Sequence, residues 1–248
     1  MKKFGLIGHP IAHSLSPALF KAAYDGKYAY DLIEGEDFET SYRRFIEEYD
    51  AINVTAPFKE AAFAKADILS EECASTGATN LLVKTPEGIK AYNSDFLGVR
   101  MWLSEVTEDL KDVKILIVGL GGAGKAAAAA AESLGMDVIR MNRTVRDSQT
   151  HPLDDFRKCF RKANIIIYNI PAAIPELKEL TDSDFNEDKP KLILEANYKD
   201  PSLRETMKSF GSKAVYTGGE TWLLYQAMTG YKILTGEKPD LTKMSDVL

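Results

Sequence analysis

The most constraining feature of this 248-residue sequence is a run of glycines at one particular place. Lys114-Ile115-Leu116-Ile117-Val118 is a short aliphatic run of the kind that forms a buried strand. It leads directly into Gly119-Leu120-Gly121-Gly122-Ala123-Gly124, and an alanine-rich helical segment, Lys125–Leu134, follows. This is G-x-G-x-x-G between a strand and a helix. In that context the glycines allow a tight turn and let the backbone approach a pyrophosphate. The helix N-terminus then presents unpaired N–H groups and a partial positive charge to the phosphates. The plainer reading is that these glycines only pack helix against strand; it does not explain why the whole fingerprint appears in its required setting.

The rest of the chain keeps the same rhythm. In the first half, strands are predicted at Phe4–Gly8, 28–34, Ala51–Thr55, Leu81–Val83 and Ile89–Tyr92. The last two pair across Pro86-Glu87-Gly88. Helices are predicted after Ser16-Pro17, over 38–49, from Lys59, near Ser70 and over Asp95–Glu105. Ser16 reads as an N-cap, with Pro17 at the first helical position. In the second half, strands are expected at 114–118, 137–141, 164–168, 191–195 and 213–215, with helical segments between them. An amphipathic helix, Glu220–Leu234, closes the pattern. Alternation at this spacing means βαβ units and a parallel sheet. The charged stretch Thr107–Lys114 places a boundary within about 98–112. The expected fold is therefore α/β in two domains: a doubly wound parallel sheet over about 113–217, and a different α/β domain over the first 98 residues.

Composition narrows what such a chain does. Lys plus Arg total 31 and Asp plus Glu total 37, a formal charge of −6. That balance argues against nucleic acid or an anionic membrane as the main partner, although a local site still accepts a small anion. The two cysteines, Cys73 and Cys159, form neither a disulfide framework nor a thiolate metal site, and they read as packing residues. No metal-ligand cluster is visible. Met1-Lys2-Lys3 leads into an apolar run that breaks at Gly8-His9-Pro10, unlike a signal peptide. No apolar stretch approaches the roughly 20 residues needed to cross a bilayer. The expectation is a soluble, cytoplasmic protein without membrane or nucleic-acid partners.

Several polar clusters sit at predicted strand ends. After the strand 137–141 comes Asn142-Arg143-Thr144. An acidic residue there would hold a ribose 2′-hydroxyl. Arg143 instead suits a 2′-phosphate and stacks on adenine, which favours NADP. In the first half, Ser14 and Ser16 offer two hydroxyls to an anion ahead of a helix. Lys59 falls at a helix start, where a cation opposes the helix dipole and does not add stability. Asn80 donates and accepts, and Asp95 orients a lysine and accepts from a hydroxyl. Each also has a local reading, Asn80 as a turn residue and Asp95 as an N-cap. His9, His13 and His151 show no carboxylate partner and are given no role.

Taken together, Gly8–Pro17, Asn53–Lys59, Gly77–Asn80, Asn93–Gly98, Gly119–Gly124, Asn142–Thr144 and Gly219–Ala227 resemble the shikimate dehydrogenase family in order and spacing over the full length. The resemblance implies reversible, NADP-dependent reduction of 3-dehydroshikimate to shikimate, a small-molecule reaction of aromatic amino-acid biosynthesis, in a monomer or homodimer. It implies an N-terminal α/β substrate domain of residues 1–98 plus 218–248, and a Rossmann-type NADP domain of residues 99–217. By matching position, Lys59 is the catalytic lysine and Asp95 its partner. Ser14, Ser16, Thr55, Asn80, Tyr198 and Gln226 hold the substrate. Gly119, Gly121, Gly122, Ala123, Gly124, Asn142, Arg143, Thr144 and Gly219 hold the cofactor.

Three positions depart from the family pattern. Asp147 stands where a second basic residue is frequent, with Arg146 one earlier. Tyr168-Asn169-Ile170-Pro171 replaces a hydroxyl-bearing strand end, and Trp222 replaces a frequent Met. The alternatives are an NAD-dependent quinate/shikimate dehydrogenase and a non-catalytic shikimate-binding sensor; the sensor reading is opposed by the presence of both Lys59 and Asp95.

Overall fold

The structure, a computed structural model, describes residues 2–107, 112–186 and 188–248. Residues 108–111 of the predicted boundary stretch lie outside the described residues. The chain divides into two compact units, Met1–Gly98 with Leu224–Leu248, and Val99–Leu223.

The first unit is built on a mixed sheet of β1 (Lys3–Gly8), β2 (Ala29–Glu34), β3 (Ala51–Val54), β4 (Ile68–Leu69), β5 (Leu81–Thr85) and β6 (Gly88–Tyr92), in the order β2-β1-β3-β5-β6-β4. β1 runs parallel to β3, with Ile7 beside Val54. β5 is antiparallel to both β3 and β6. The carboxyl ends of β1, β3 and β6 therefore share one edge of the sheet with the start of β5. Helices α1 (Ser16–Ala23), α2 (Phe38–Glu48), α3 (Lys59–Ala64) and α4 (Glu71–Thr76) lie between the strands. Ile7, Ile33, Phe45, Ile52, Val54 and Leu82 are buried together in one core cluster. A second aromatic cluster joins Phe4, Phe20, Tyr24, Tyr28, Tyr30 and Tyr231.

Two long helices complete this unit: α5 (Ser94–Val106), of which the unit holds the start, and the later part of α9 (Gly219–Thr235). They meet at glycines. A Cβ added to Gly98 would lie 2.6 Å from the Gln226 backbone nitrogen, and one added to Gly230 would lie 3.1 Å from Ser94 Oγ. Only hydrogen fits at Gly98, so the backbone of α9 presses directly on α5.

In the second unit β7 (Lys114–Val118), α6 (Gly122–Ser133), β8 (Asp137–Met141), β9 (Thr150–His151), α7 (Phe156–Lys162), β10 (Ile165–Tyr168), β11 (Lys191–Glu195), α8 (Arg204–Ser209) and β12 (Ala214–Thr217) form a wholly parallel sheet with its crossovers. The order is β12-β11-β10-β7-β8-β9. Two halves wind outward from β7 and β10, the doubly wound dinucleotide-binding order. Ligands bind such sheets beyond the carboxyl ends of the strands where the winding reverses. The core gathers Leu116, Val118, Phe156, Phe160, Ile166 and Ile193.

Most predicted elements appear within a residue or two, and the differences have local causes. Ser16 is the first residue of α1 and not its N-cap; Leu15 takes the cap position without a side-chain bond. Helix α6 begins at Gly122, inside the glycine run, because Gly121 already has the extended N-cap backbone. Strands β4 and β9 are two residues each, too short to show a period. Helix α10 (Leu241–Ser245) has no counterpart among the predicted elements; Asp240 caps it by accepting from the Lys243 N–H.

Gly98→Ala should force α5 and α9 apart. Overpacking of this kind costs about 1–3 kcal/mol. The melting temperature should fall by a few degrees, roughly 2–4 °C for each kcal/mol at this size. An unchanged melting temperature would show that the helices do not need this contact.

Candidate active site

In the first unit the shared strand edge collects the polar residues. β3 ends at Val54, whose N–H donates to the Asn80 carbonyl at 2.8 Å, and the Asn80 N–H donates to the Tyr92 carbonyl at 3.2 Å. Those two bonds place Thr55, Asn80 and the start of α5 side by side. Thr55 also packs against the end of β1, where a Cβ added to Gly8 would meet its methyl group.

Lys59 is the first residue of α3, and its ammonium donates to Asp95 Oδ2 at 2.5 Å. The Asp95 side chain is only 9% exposed and that of Lys59 25%. A half-withdrawn pair of this kind holds its ammonium in one place and leaves a face of it open to solvent. Asp95 is not the N-cap of α5. That duty falls to Asn93, whose Oδ1 accepts from the Phe96 N–H at 3.1 Å and whose amide donates to Thr76 and Ala78. Asn80 is not a turn residue either; it is buried, and its side chain bonds Ser94 through both ends of the amide.

Ser14 and Ser16 are brought together, with Ser14 Oγ donating to Ser16 Oγ at 3.1 Å. Ser14 Oγ also accepts from the Ser16 N–H. The two hydroxyls are half-buried beside the start of α1. Behind them Tyr231, fully buried, donates its O–H to the Ser16 carbonyl at 3.1 Å. Burial pushes the Tyr231 phenol up, so it stays a neutral donor. Tyr30 anchors the next strand by donating to Asn53 Oδ1 at 2.8 Å.

In the second unit a cavity of about 300 Å³ is lined by Gly119, Leu120, Gly121, Asn142, Arg143, Thr144, Asn169, Ile170 and Pro171. Its three fingerprint glycines have three different reasons to be glycine. Gly119 has φ +89°, a turn conformation that side chains disfavour. A Cβ on Gly124 would collide with the Gly119 carbonyl oxygen. A Cβ on Gly121 would meet nothing within 4 Å. Gly121 therefore answers no need of the chain's own packing, and the space beside it, on the cavity wall, is open. The buried Oδ1 of Asn169 has no hydrogen-bond partner within the protein, a second sign that this wall is completed by something else.

Asn142 braces the cavity. Its Oδ1 accepts from the Leu120 N–H, and its amide donates to the Thr144 carbonyl. Asp147 is not among the lining residues. The Thr150 hydroxyl and the Gln149 N–H bond its carboxylate and hold it below the usual carboxylate range. It remains an exposed, ionised carboxylate. Tyr198 follows Glu195, which is fully buried and accepts from Ser202, Leu203 and the Tyr216 hydroxyl. Gly219 sits against this segment; a Cβ there would lie 2.5 Å from the Tyr198 nitrogen.

Comparison with known proteins bears on this geometry. Residues 6–82 match the family described as "Shikimate dehydrogenase substrate binding domain". Residues 88–194 match "D-isomer specific 2-hydroxyacid dehydrogenase, NAD binding domain". The chain is 31% identical to a shikimate dehydrogenase (NADP(+)) of Staphylococcus aureus, covering 98% of this chain and 96% of the relative. It is 30% identical to the enzyme of the same name from Thermotoga maritima, covering 93% and 92%. The chain belongs to the shikimate dehydrogenase family. Its fold also matches the shikimate 5-dehydrogenase of Thermus thermophilus solved in complex with NADP(H) and shikimate, with a TM-score of 0.81 at 26% identity over 100% of this chain and 98% of that one.

Sequence reading missed several supporting residues of this family member. Ser94 lies inside a quoted motif, but no role for it follows from sequence. Tyr231, Tyr30 and Glu195 carry no signal, because a buried hydroxyl or carboxylate declares itself only through its partners. The other two family departures are placed as follows. Ile170 packs against Gly119, where a Cβ would meet its Cγ1 at 2.9 Å. Tyr168 is buried and donates to the Ala172 carbonyl at 2.7 Å. Trp222 is buried in the first turns of α9. Two histidines do have carboxylates nearby, contrary to expectation: His151 lies 3.2 Å from Asp155 and His9 lies 3.7 Å from Glu34. Both pairs are formed by neighbouring surface groups and not by the clusters above.

The glycines separate in a simple experiment. Gly124→Ala should lower the melting temperature by at least about 5 °C, since overpacking against backbone costs about 1–3 kcal/mol or more. Gly121→Ala should melt within about 2 °C of wild type while losing affinity for a dinucleotide, titrated as NADP+. Equal melting losses in both variants would mean that Gly121 also serves packing.

Proposed function

We propose that this protein catalyses the reversible NADP-dependent reduction of 3-dehydroshikimate to shikimate, an oxidoreductase reaction at a CH–OH group. The observation that carries the reading is the Lys59–Asp95 contact at a strand edge that also holds the serine pair and the Asn80 amide. The first unit is the substrate domain and the second the NADP domain. The same reading makes the protein a cytoplasmic enzyme of small molecules, acting as a monomer or homodimer.

NADPH, when bound, supplies the hydride. The chain's own residues supply the rest. Lys59 donates a proton to the oxygen of the ring carbonyl as that oxygen gains negative charge, and its positive charge stabilises the oxygen until then. Asp95 holds the ammonium in position until the proton is transferred. Ser14 and Ser16 receive the substrate carboxylate as hydroxyl donors, and Thr55, Asn80 and Gln226 take the ring hydroxyls and the carboxylate side. In the second domain, Gly119, Gly121, Gly122, Ala123 and Gly124 form the pyrophosphate cradle. Asn142, Arg143 and Thr144 receive the adenosine ribose and its 2′-phosphate. Tyr198 adds a substrate-side phenol, kept neutral because burial pushes it up. Gly219 offers backbone to the nicotinamide amide.

Arg143 favours NADP over NAD, and Asp147 does not line the cavity.

Purified protein mixed with shikimate and NADP+ should generate reduced cofactor, followed by its absorbance; no turnover at any workable concentration would overturn the proposal, and ligand binding without turnover would point to the sensor reading. Lys59→Ala should lower kcat by roughly a thousandfold, within the range general acid catalysis supplies, with NADP+ affinity unchanged. Arg143→Ala should weaken NADP+ binding by about 10–100-fold, the worth of a charge-assisted hydrogen bond, and leave NAD+ binding as it was. Parallel titrations and rates with NADP+, NAD+, shikimate and quinate read all of these together.

A further inference from the structure

The connection between β11 and α8 is short, and side chains staple it at both ends and in the middle. Glu195 is the last residue of β11 and is fully buried. Its carboxylate collects four donors from three residues. Oε1 accepts from the Ser202 N–H at 2.5 Å and from the Ser202 hydroxyl at 2.9 Å. Oε2 accepts from the Leu203 N–H at 3.2 Å and from the Tyr216 hydroxyl of β12 at 2.6 Å. A buried carboxylate needs its lone pairs filled in this way. The start and the end of the connection are thereby tied to one point.

Asn197 holds the middle. Its Oδ1 accepts from the Lys199 and Asp200 N–H groups at 3.2 and 3.4 Å, an Asx-type turn. Its amide donates to the Asp200 carbonyl at 2.6 Å and to the Pro171 carbonyl at 3.4 Å. Pro171 lines the cavity of this unit, so the same side chain fastens the turn to the cavity wall. The start of α9 presses in at Gly219, where a Cβ would lie 2.5 Å from the Tyr198 nitrogen and 2.6 Å from the Asn197 carbonyl carbon. Arg204 donates to Glu220 at 3.3 Å and ties α8 to that same end of α9. Tyr198 stands among these contacts. They use backbone and the side chains around it, and the half-buried phenol projects from a turn that is already fixed.

We propose that Glu195 and Asn197 are positioning residues for substrate recognition, together holding the turn that presents the Tyr198 hydroxyl to an acceptor oxygen of the substrate. This rests on the proposed function, which gives Tyr198 its place on the substrate side. Glu195 and Asn197 act through Tyr198 and not on the substrate. A phenol on a loose turn must give up backbone freedom when it binds; on a stapled turn that cost is met in folding.

Steady-state constants with shikimate and NADP+ test the assignment. Tyr198→Phe should raise KM for shikimate about tenfold, equivalent to about 1.4 kcal/mol. Glu195→Gln puts an amide nitrogen where N–H and O–H donors need an acceptor. It should raise the same KM about fivefold, with kcat within about threefold of wild type. Asn197→Ala should act in the same direction, and Asn197→Asp, which keeps the accepting half of the staple, should recover part of the loss. In a Tyr198→Phe background, Glu195→Gln and Asn197→Ala should each change KM by less than about twofold, because the group they position is gone. The fall in melting temperature caused by Glu195→Gln should be the same in both backgrounds. A wild-type KM in Glu195→Gln or in Asn197→Ala overturns the proposal, and so does an equal rise in KM with and without the Tyr198 hydroxyl. If Glu195→Gln does not fold, the Asn197 variants decide by the same criterion. Wild-type protein that does not turn over shikimate would strike the proposed function instead; variants compared with an active wild type strike the positioning role alone.

Discussion

An ammonium and a carboxylate 2.5 Å apart at two helix starts decide what the first unit can do. The two helix ends treat the charges in opposite ways. Asp95 lies in the first turn of α5, where the partial positive charge of the helix favours an anion. Lys59 lies in the first turn of α3, where the same effect disfavours a cation. The carboxylate is therefore the anchored partner, and the ammonium is held by it against its own helix. A lysine in this position is poorly explained by stability, since the desolvation of a half-buried ion pair cancels much of its attraction. It fits the proposed role of Lys59, a proton donor held at a fixed point on the strand edge that carries the hydroxyls and the amide.

The second unit solves a different problem with less charge. On the proposed function its cavity would admit a pyrophosphate without a lysine among the lining residues, so the chain relies on geometry. Gly119 turns the backbone, Gly124 lets α6 close on the turn, and Gly121 keeps a side chain out of the space between. Asn142 ties this loop to the segment bearing Arg143, so the proposed phosphate cradle and adenosine end share one strut. Asp147, a competing charge by sequence, is bonded by Thr150 and Gln149 instead. A short Asx-type turn explains that outcome, and nothing in the residue's identity announced it.

Strand and helix positions were legible because periodicity and glycine punctuation are local properties. The parallel sheet over β7 to β12 followed from alternation alone. The bonded pairs Lys59–Asp95 and Ser14–Ser16 were legible as chemistry, though only the fold could bring Lys59 and Asp95, 36 residues apart, into contact. What could not be read belongs to partnership across the fold. Ser16 looked like a cap and is not one, because the chain enters α1 through Leu15 in a helical conformation. Asn93, and not Asp95, caps α5, since hydrogen bonds from its amide to Thr76 and Ala78 fix the side chain that accepts from Phe96. The β4 and β9 strands exist because neighbouring strands offer free edges, and no two-residue segment carries that information.

The same distinction explains why the acidic balance of the chain says so little about its ligands. A formal charge of −6 is a property of the whole surface. The proposed ligands are anions, and the groups that would receive them are mostly uncharged: serine hydroxyls, glycine-loop N–H groups and the Asn80 amide, whose oxygen is held by a backbone N–H. Such donors attract an anion only where water is displaced and their orientation is already fixed, for a freely turning amide offers its oxygen as readily as its nitrogen. Fixing the direction is the work of buried neighbours such as Ser94 and Tyr231. In this protein the recognition of negative charge depends less on how many positive charges the chain carries than on how firmly a few neutral dipoles are held.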